Sequence, residues 1–300
     1  MELWIDGTLR HTVPPKSPEV DAVYDRFEAG DRGEPLPDVG IPQPGTADER
    51  QARRQRVQAE LLVHPGRVAY IRWQALLRTM DVHARNAGEL LGLLHGVATG
   101  PAAALELMQN VRPPDVADEI NAQIDQRLHN YVASAASLID HTRNLFKHYE
   151  GRHVAAEYES RKDLLAAEPV NGFVRDLRNY ALHRSLPWLG HKVSTTGAGQ
   201  DIAAETYLGT AELRTWDGWK APAKAFLDEA GDTVALTATI EQHVSLVRGL
   251  HEWVLAQFEG LHRADIAGSN ALINEYNWLI SGGRMGRPRP EATPAADGDA

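Results

Sequence analysis

The run DVADEINAQIDQRLHNYVASAASLIDHTRNLFKHY, residues 115–149, decides the fold. Its core positions read Val116, Ile120, Ile124, Leu128, Tyr131, Ala135, Leu138, Thr142, Leu145 and Tyr149. Every step between them is three or four residues, so all lie on one stripe of an α-helix. At about 1.5 Å per residue this helix spans on the order of 50 Å. A strut of that length belongs to an elongated helical bundle. Pro113 and Pro114 mark where it starts, and Gly151 breaks it.

The same period extends to both sides. Thr46 reads as an N-cap, with Glu49 three residues on completing a capping box. That helix is expected to run to about His64, where Pro65 and Gly66 stop it. A second covers roughly residues 68–94, with Ile71, Leu76, Leu77, Met80, Leu90, Leu91 and Leu94 as its core side. Pro101 suits the first position of a short helix through Met108. Further helices are expected at residues 153–166 and 170–185, the latter ended by Pro187, and at residues 221–229. A long stripe follows through Ile240, Val244, Val247, Leu250, Val254, Phe258 and Leu261, and then a last helix ends near Ile280. Between residues 191 and 208 the pattern turns β-branched around a Gly-Ala-Gly turn, which predicts a hairpin. The expected fold is all-α, an elongated helical bundle with a small β-hairpin insertion.

The flanks differ. Half of the positions from Gly30 to Gly45 are glycine or proline, which no helix or sheet ladder tolerates. Residues 1–45 therefore read as an extended, acidic N-terminal arm, with a helical turn or two within 20–29. Residues 46–281 read as the helical domain and 282–300 as a disordered tail.

Composition narrows the function. Hydrophobic residues make up 43% of the 300-residue chain and charged residues 24%, the balance of a globular protein. There is no cysteine, which excludes disulfides, thiolate metal sites and cysteine nucleophiles. No apolar run approaches the roughly 18 residues of a membrane span, and the first residues lack a secretory pattern. A soluble cytoplasmic protein is expected, with no membrane partner. The formal net charge of -10 sits in the flanks: residues 19–49 carry nine acids and two bases, and residues 291–300 carry three acids and no base. The helical body is neutral overall, so local basic patches remain available to an anionic partner.

No phosphate-binding glycine loop, nucleophile elbow or HExxH stands in the sequence. Thirteen histidines do not form the paired Glu-x-x-His units of a di-iron bundle, so they read as solvated surface residues with no metal and no cofactor. Two tryptophans, Trp216 and Trp219, read as packing residues for the helix at 221–229 rather than as a stacking platform. What remains is FVRDLRNYALHRSLP, residues 173–187. Phe173, Val174, Leu177 and Ala181 form its apolar face. Asn179 and His183 lie one turn apart with Arg175 a turn earlier, and Arg178 stands about 140° around the axis from His183. A guanidinium, an amide and an imidazole on one short segment suit phosphoryl chemistry on RNA. Arginine stabilises developing charge, histidine moves the proton, and a 2′-hydroxyl nucleophile removes the need for a metal.

This stretch resembles the Rx4-6H motif of HEPN domains, in which the arginine is often followed by asparagine, as Arg178 is by Asn179. The resemblance covers residues 115–261, about half the chain. It implies an all-α bundle with the motif on a late helix, commonly a homodimer in which two motifs build one site. Many members are metal-independent endoribonucleases in toxin–antitoxin, phage-defence or RNA-processing systems, and others are non-catalytic. By that resemblance Arg178, Asn179 and His183 are the catalytic set, Arg175 and Arg184 bind substrate, and the partners are RNA and an antitoxin or defence protein. A second copy of the pattern, Arg143, Asn144 and His148, falls near the end of the long helix. The first copy is preferred, because it lies on a short helix before a proline and a loop. The alternatives are a non-catalytic binding or scaffold module and a nucleotide-sensing domain.

Overall fold

In a computed structural model the described residues are 4–5, 8–9, 45–99, 115–196 and 201–282. The expected turns within 20–29, the short helix at 101–108 and the acidic tail fall outside them, as does most of the N-terminal arm. The fold is all-α with a small three-stranded antiparallel sheet and a separate two-stranded pair. The helices are α1 (Ala47–Val63), α2 (Pro65–Thr99), α3 (Asp115–Phe146), α4 (His153–Ala167), α5 (Pro169–His183), α6 (Thr210–Leu213), α7 (Ala221–Glu229) and α8 (Leu236–Ile280). A 3₁₀ turn, Lys147–Tyr149, extends α3. Strands β1 (Trp4–Ile5) and β2 (Thr8–Leu9) pair with each other, and β3 (Leu189–Thr196), β4 (Asp201–Gly209) and β5 (Thr233–Ala235) form the sheet.

Two compact units divide the chain, one of residues 1–71 and 261–300, the other of residues 72–260. In the first, the capping box at Thr46 and Glu49 starts α1. Val57 packs with Leu272, Trp278 and Leu279 of α8, and Arg53 Nε donates to buried Glu275 at 2.9 Å. Gly66 lies so close to the Asp265 carbonyl that a Cβ would stand 1.8 Å from its oxygen.

The larger unit holds the main core. Leu90 and Leu94 of α2, Ile124, Leu128 and Tyr131 of α3, Phe173, Leu177 and Tyr180 of α5, and Leu236 and Ile240 of α8 are all buried together. Every expected stripe position of α3 from Ile124 to Leu145 is buried, Thr142 included, and so is Tyr149 in the 3₁₀ turn. Gly151 ends that turn at φ +80°, where a side chain would be strained. On α2, Leu76, Leu90 and Leu94 are buried as expected, whereas Ile71 is exposed. The hairpin is longer than expected and gains β5 as a third strand, with Leu208 opposite Val234. Leu236 to Ile280 is one helix rather than two.

Helix α5 is the buried centre of this unit. Glu168 precedes it in extended conformation and Pro169 occupies its first turn, where a missing N–H costs nothing. Gly172 lets α7 approach: a Cβ there would stand 2.6 Å from Pro222 Cβ. The helix is buried on more sides than its apolar face alone predicts, because Asp176 is also fully enclosed. That carboxylate accepts from Arg175 Nε at 2.9 Å and from the Lys220 backbone N–H at 2.8 Å, at the start of α7. Trp219 stacks on Phe173 and Tyr180 and donates Nε1–H to the Leu213 carbonyl, which confirms it as a packing residue.

Candidate functional site

The sequence of α5 alternates between residues that anchor it and residues that look outward past α3 and α4. The outward residues line a cavity of about 380 Å³. Its polar wall comprises Arg175, Arg178 and Asn179 from α5, Arg143 and Asp140 from α3, and Lys162 from α4. Its apolar floor comes from alanine and β-branched residues of α3, with Leu165, Val174 and Val247. Concave, mostly apolar walls with a few converging polar groups are the usual form of a small-molecule site.

The cations are unevenly satisfied. Arg143 pairs with Asp140 at 3.1 Å, and Lys162 pairs with Glu159. Arg175 spends its Nε on Asp176, yet its Nη2 is buried with no acceptor. Arg178 reaches the Asn179 side-chain oxygen with Nη1 at 3.4 Å, a long contact, and its Nε is likewise buried without an acceptor. Both arginines line the cavity, while these two nitrogens are themselves enclosed and without acceptors. A buried, unpaired charged donor costs more than the roughly 1–3 kcal/mol of a neutral one.

His243 of α8 also lines the cavity and was not singled out by motif reading. It is 3% exposed, with Nδ1 2.5 Å from the hydroxyl of fully buried Tyr131. Burial raises the Tyr131 pKa, so the phenol keeps its proton. Among the described residues, the partner of that hydroxyl is the His243 nitrogen. The hydroxyl therefore donates to Nδ1, which leaves the ring hydrogen on Nε2. Desolvation, helped by the nearby His83 ring, lowers the His243 pKa to about 3, so the ring is neutral at physiological pH. His83 stacks on Tyr131 and is lowered to about 4 by desolvation and by His251. His251 contacts the Thr142 hydroxyl at 3.0 Å. These three histidines correct the expectation of solvated surface residues: they sit on core stripes, because each finds a polar partner there. Their signal in the sequence was a histidine at a core position of a helix period.

The structure brings Arg143, Arg175, Arg178 and Asn179 to one cavity and leaves the other motif residues outside it. His183 is exposed at the end of α5 and is not among the cavity residues. Arg184 donates to the Thr215 hydroxyl at 2.7 Å and stands over the Tyr180 ring. Asn144 and His148 line a separate depression of about 200 Å³ with Arg72 and His141. Among the described residues, no group of three or more His, Asp or Glu side chains is placed to hold a metal ion. Nor is any described helix long and apolar enough to cross a membrane. Comparison with known protein families, with curated proteins and with solved structures finds no match to this chain.

Proposed function

We propose that this chain is a helical binding module that senses a small phosphate-bearing molecule of the nucleotide class in the α3–α4–α5 cavity. One observation carries the reading: Arg175 Nη2 and Arg178 Nε are buried at a cavity wall without acceptors, among two further cations. An anion there pairs with the guanidinium groups once they turn toward it, and relieves the repulsion between the gathered cations. Neutral His243 offers one more N–H to a ligand acceptor. Ligand that binds only the folded state raises the melting temperature in proportion to the logarithm of its concentration. The test is calorimetric titration with inorganic phosphate and with AMP. Arg178→Gln is expected to weaken binding by about 10- to 100-fold, the value of a charge-assisted hydrogen bond of about 1.5–3 kcal/mol. No heat and no thermal stabilisation at millimolar ligand overturns the reading.

A second reading, metal-independent RNA cleavage in the manner of HEPN nucleases, draws on the exposure of His183. Its neighbours Leu182, Leu186 and Trp188 are 49%, 46% and 58% exposed, so this end of α5 is open to a second copy of the chain. Within one chain the imidazole does not join the arginine cavity, so a homodimer would have to supply the pairing. RNA cleavage in EDTA that is lost in both Arg178→Ala and His183→Ala supports this reading; no cleavage by the wild-type protein removes it. A toxin, antitoxin or defence context follows only from that resemblance.

A further inference from the structure

The cavity that holds Arg178 shares two lining residues with a neighbour. Arg143 and Lys162 also line a second depression, of about 620 Å³, where the chain turns from α3 into α4. Lys147, Arg152 and His153 join them there. The Lys147 ammonium and the His153 ring make no side-chain hydrogen bond or ion pair among the described residues. The Arg152 guanidinium is exposed and stands 5.9 Å from the centre of the Tyr149 ring. Together the two cavities carry six Arg and Lys side chains against three acids, Asp140, Glu150 and Glu159. The chain as a whole carries -10, so this is a local reversal of sign.

The shared pair is the informative feature. A lone phosphate can occupy one cavity or the other. A molecule with linked anionic groups can fill both, and its middle group then meets Arg143 and Lys162 from either side. Four of the six cations are arginines, whose planar forks fit phosphate oxygens in pairs. We infer that the two cavities form one site for an oligophosphate chain, with a terminal phosphate at Arg175 and Arg178 and the following groups running past Arg143 and Lys162 to Lys147 and Arg152. This inference rests on the anion-binding reading above and adds the ligand's length and charge.

Linking the groups makes the second contact intramolecular, so affinity rises without a second loss of free motion. Titration of the full chain with orthophosphate and with tripolyphosphate, both without divalent metal, reads this directly. Wild-type protein is expected to bind tripolyphosphate at least about 10-fold more tightly than orthophosphate, the low end of what linkage gives. The double variant Lys147→Ala/Arg152→Ala, at exposed side chains of the α3–α4 turn, should weaken tripolyphosphate several-fold more than orthophosphate and so bring the two affinities together. Circular dichroism confirms that the variant is folded. Arg178→Gln should weaken both ligands. Equal affinities in the wild type, or tripolyphosphate binding unmoved by the double variant, overturn the two-cavity site while leaving the anion cavity standing. Absence of binding by either ligand overturns the anion cavity and this site with it. An ATP arm separates the sources: tighter binding than tripolyphosphate supports a nucleotide's phosphate tail, and equal binding supports a free inorganic chain.

Discussion

Acid is expected to destabilise the larger unit well before most of its carboxylates titrate, because of the histidines around Tyr131. His83 and His243 are held neutral in the folded state, with pKa values of about 4 and about 3, chiefly by desolvation. In the unfolded chain both return to about 6.5. The folded pKa values are depressed, so the stability they contribute is complete above pH 6.5. It falls as the pH drops below 6.5 and levels out only below the folded values, about 4 and about 3. At pH 5.0 the unfolded state gains RT ln(1 + 10^1.5), about 2 kcal/mol, for each group. The pair therefore removes about 4 kcal/mol from a total that is typically about 5–15 kcal/mol. His251 is lowered too and acts in the same direction, whereas Asp125, raised by burial, opposes it. Urea unfolding at pH 8.0 and pH 5.0 measures the difference. The double variant His83→Gln/His243→Gln, compared with itself at the two pH values, should lose most of the dependence. Equal wild-type stability at both pH values, or an undiminished dependence in the variant, refutes the neutral buried assignment.

Two substitutions test how α5 is held. Asp176→Ala leaves the Lys220 N–H and the Arg175 guanidinium without their shared acceptor, and should cost about 3–5 kcal/mol, the range for breaking a buried pair from one side; chemical denaturation checks it. Gly172→Ala drives a methyl to 2.6 Å from Pro222 Cβ, and should lower stability by about 1–3 kcal/mol as α7 is pushed off α5. A thermal shift smaller than about 2 °C would show that α7 moves without resistance.

Much of this architecture is legible locally. The α3 stripe could be read residue by residue because each step of three or four returns to one face, and the polar Thr142 kept its place because His251 meets its hydroxyl in the core. Where the period breaks, the reading broke too. Between Leu261 and Ile266 the only apolar residue is the small Ala264, Gly260 stands just before, and the expected stripe stopped at Leu261 with a separate helix after it. The helix nevertheless runs through: one glycine costs only about 1 kcal/mol in an interior, far less than the contacts on either side supply. Strand β5 has three residues and no alternation to read; its pairing with β4 is a tertiary event.

The site was half legible for a related reason. Arg178 and Asn179 are neighbours in sequence, so any helix displays them together, but the meeting of Arg143, Lys162, Arg175 and Arg178 depends on how α3, α4 and α5 cross. Burial of a polar group does not mark function by itself. Asp176 is enclosed and fully satisfied by two donors, and Glu275 by Arg53, and both are explained by packing. Unsatisfied atoms alone do not mark it either: Trp73 Nε1, Tyr158 Oη and His83 Nε2 also lack partners, and none of these residues lines the cavity. Among the described residues, only at Arg175 and Arg178 do an unpaired charged donor, an adjoining cavity and neighbouring cations coincide. The proposed anion would account for that coincidence.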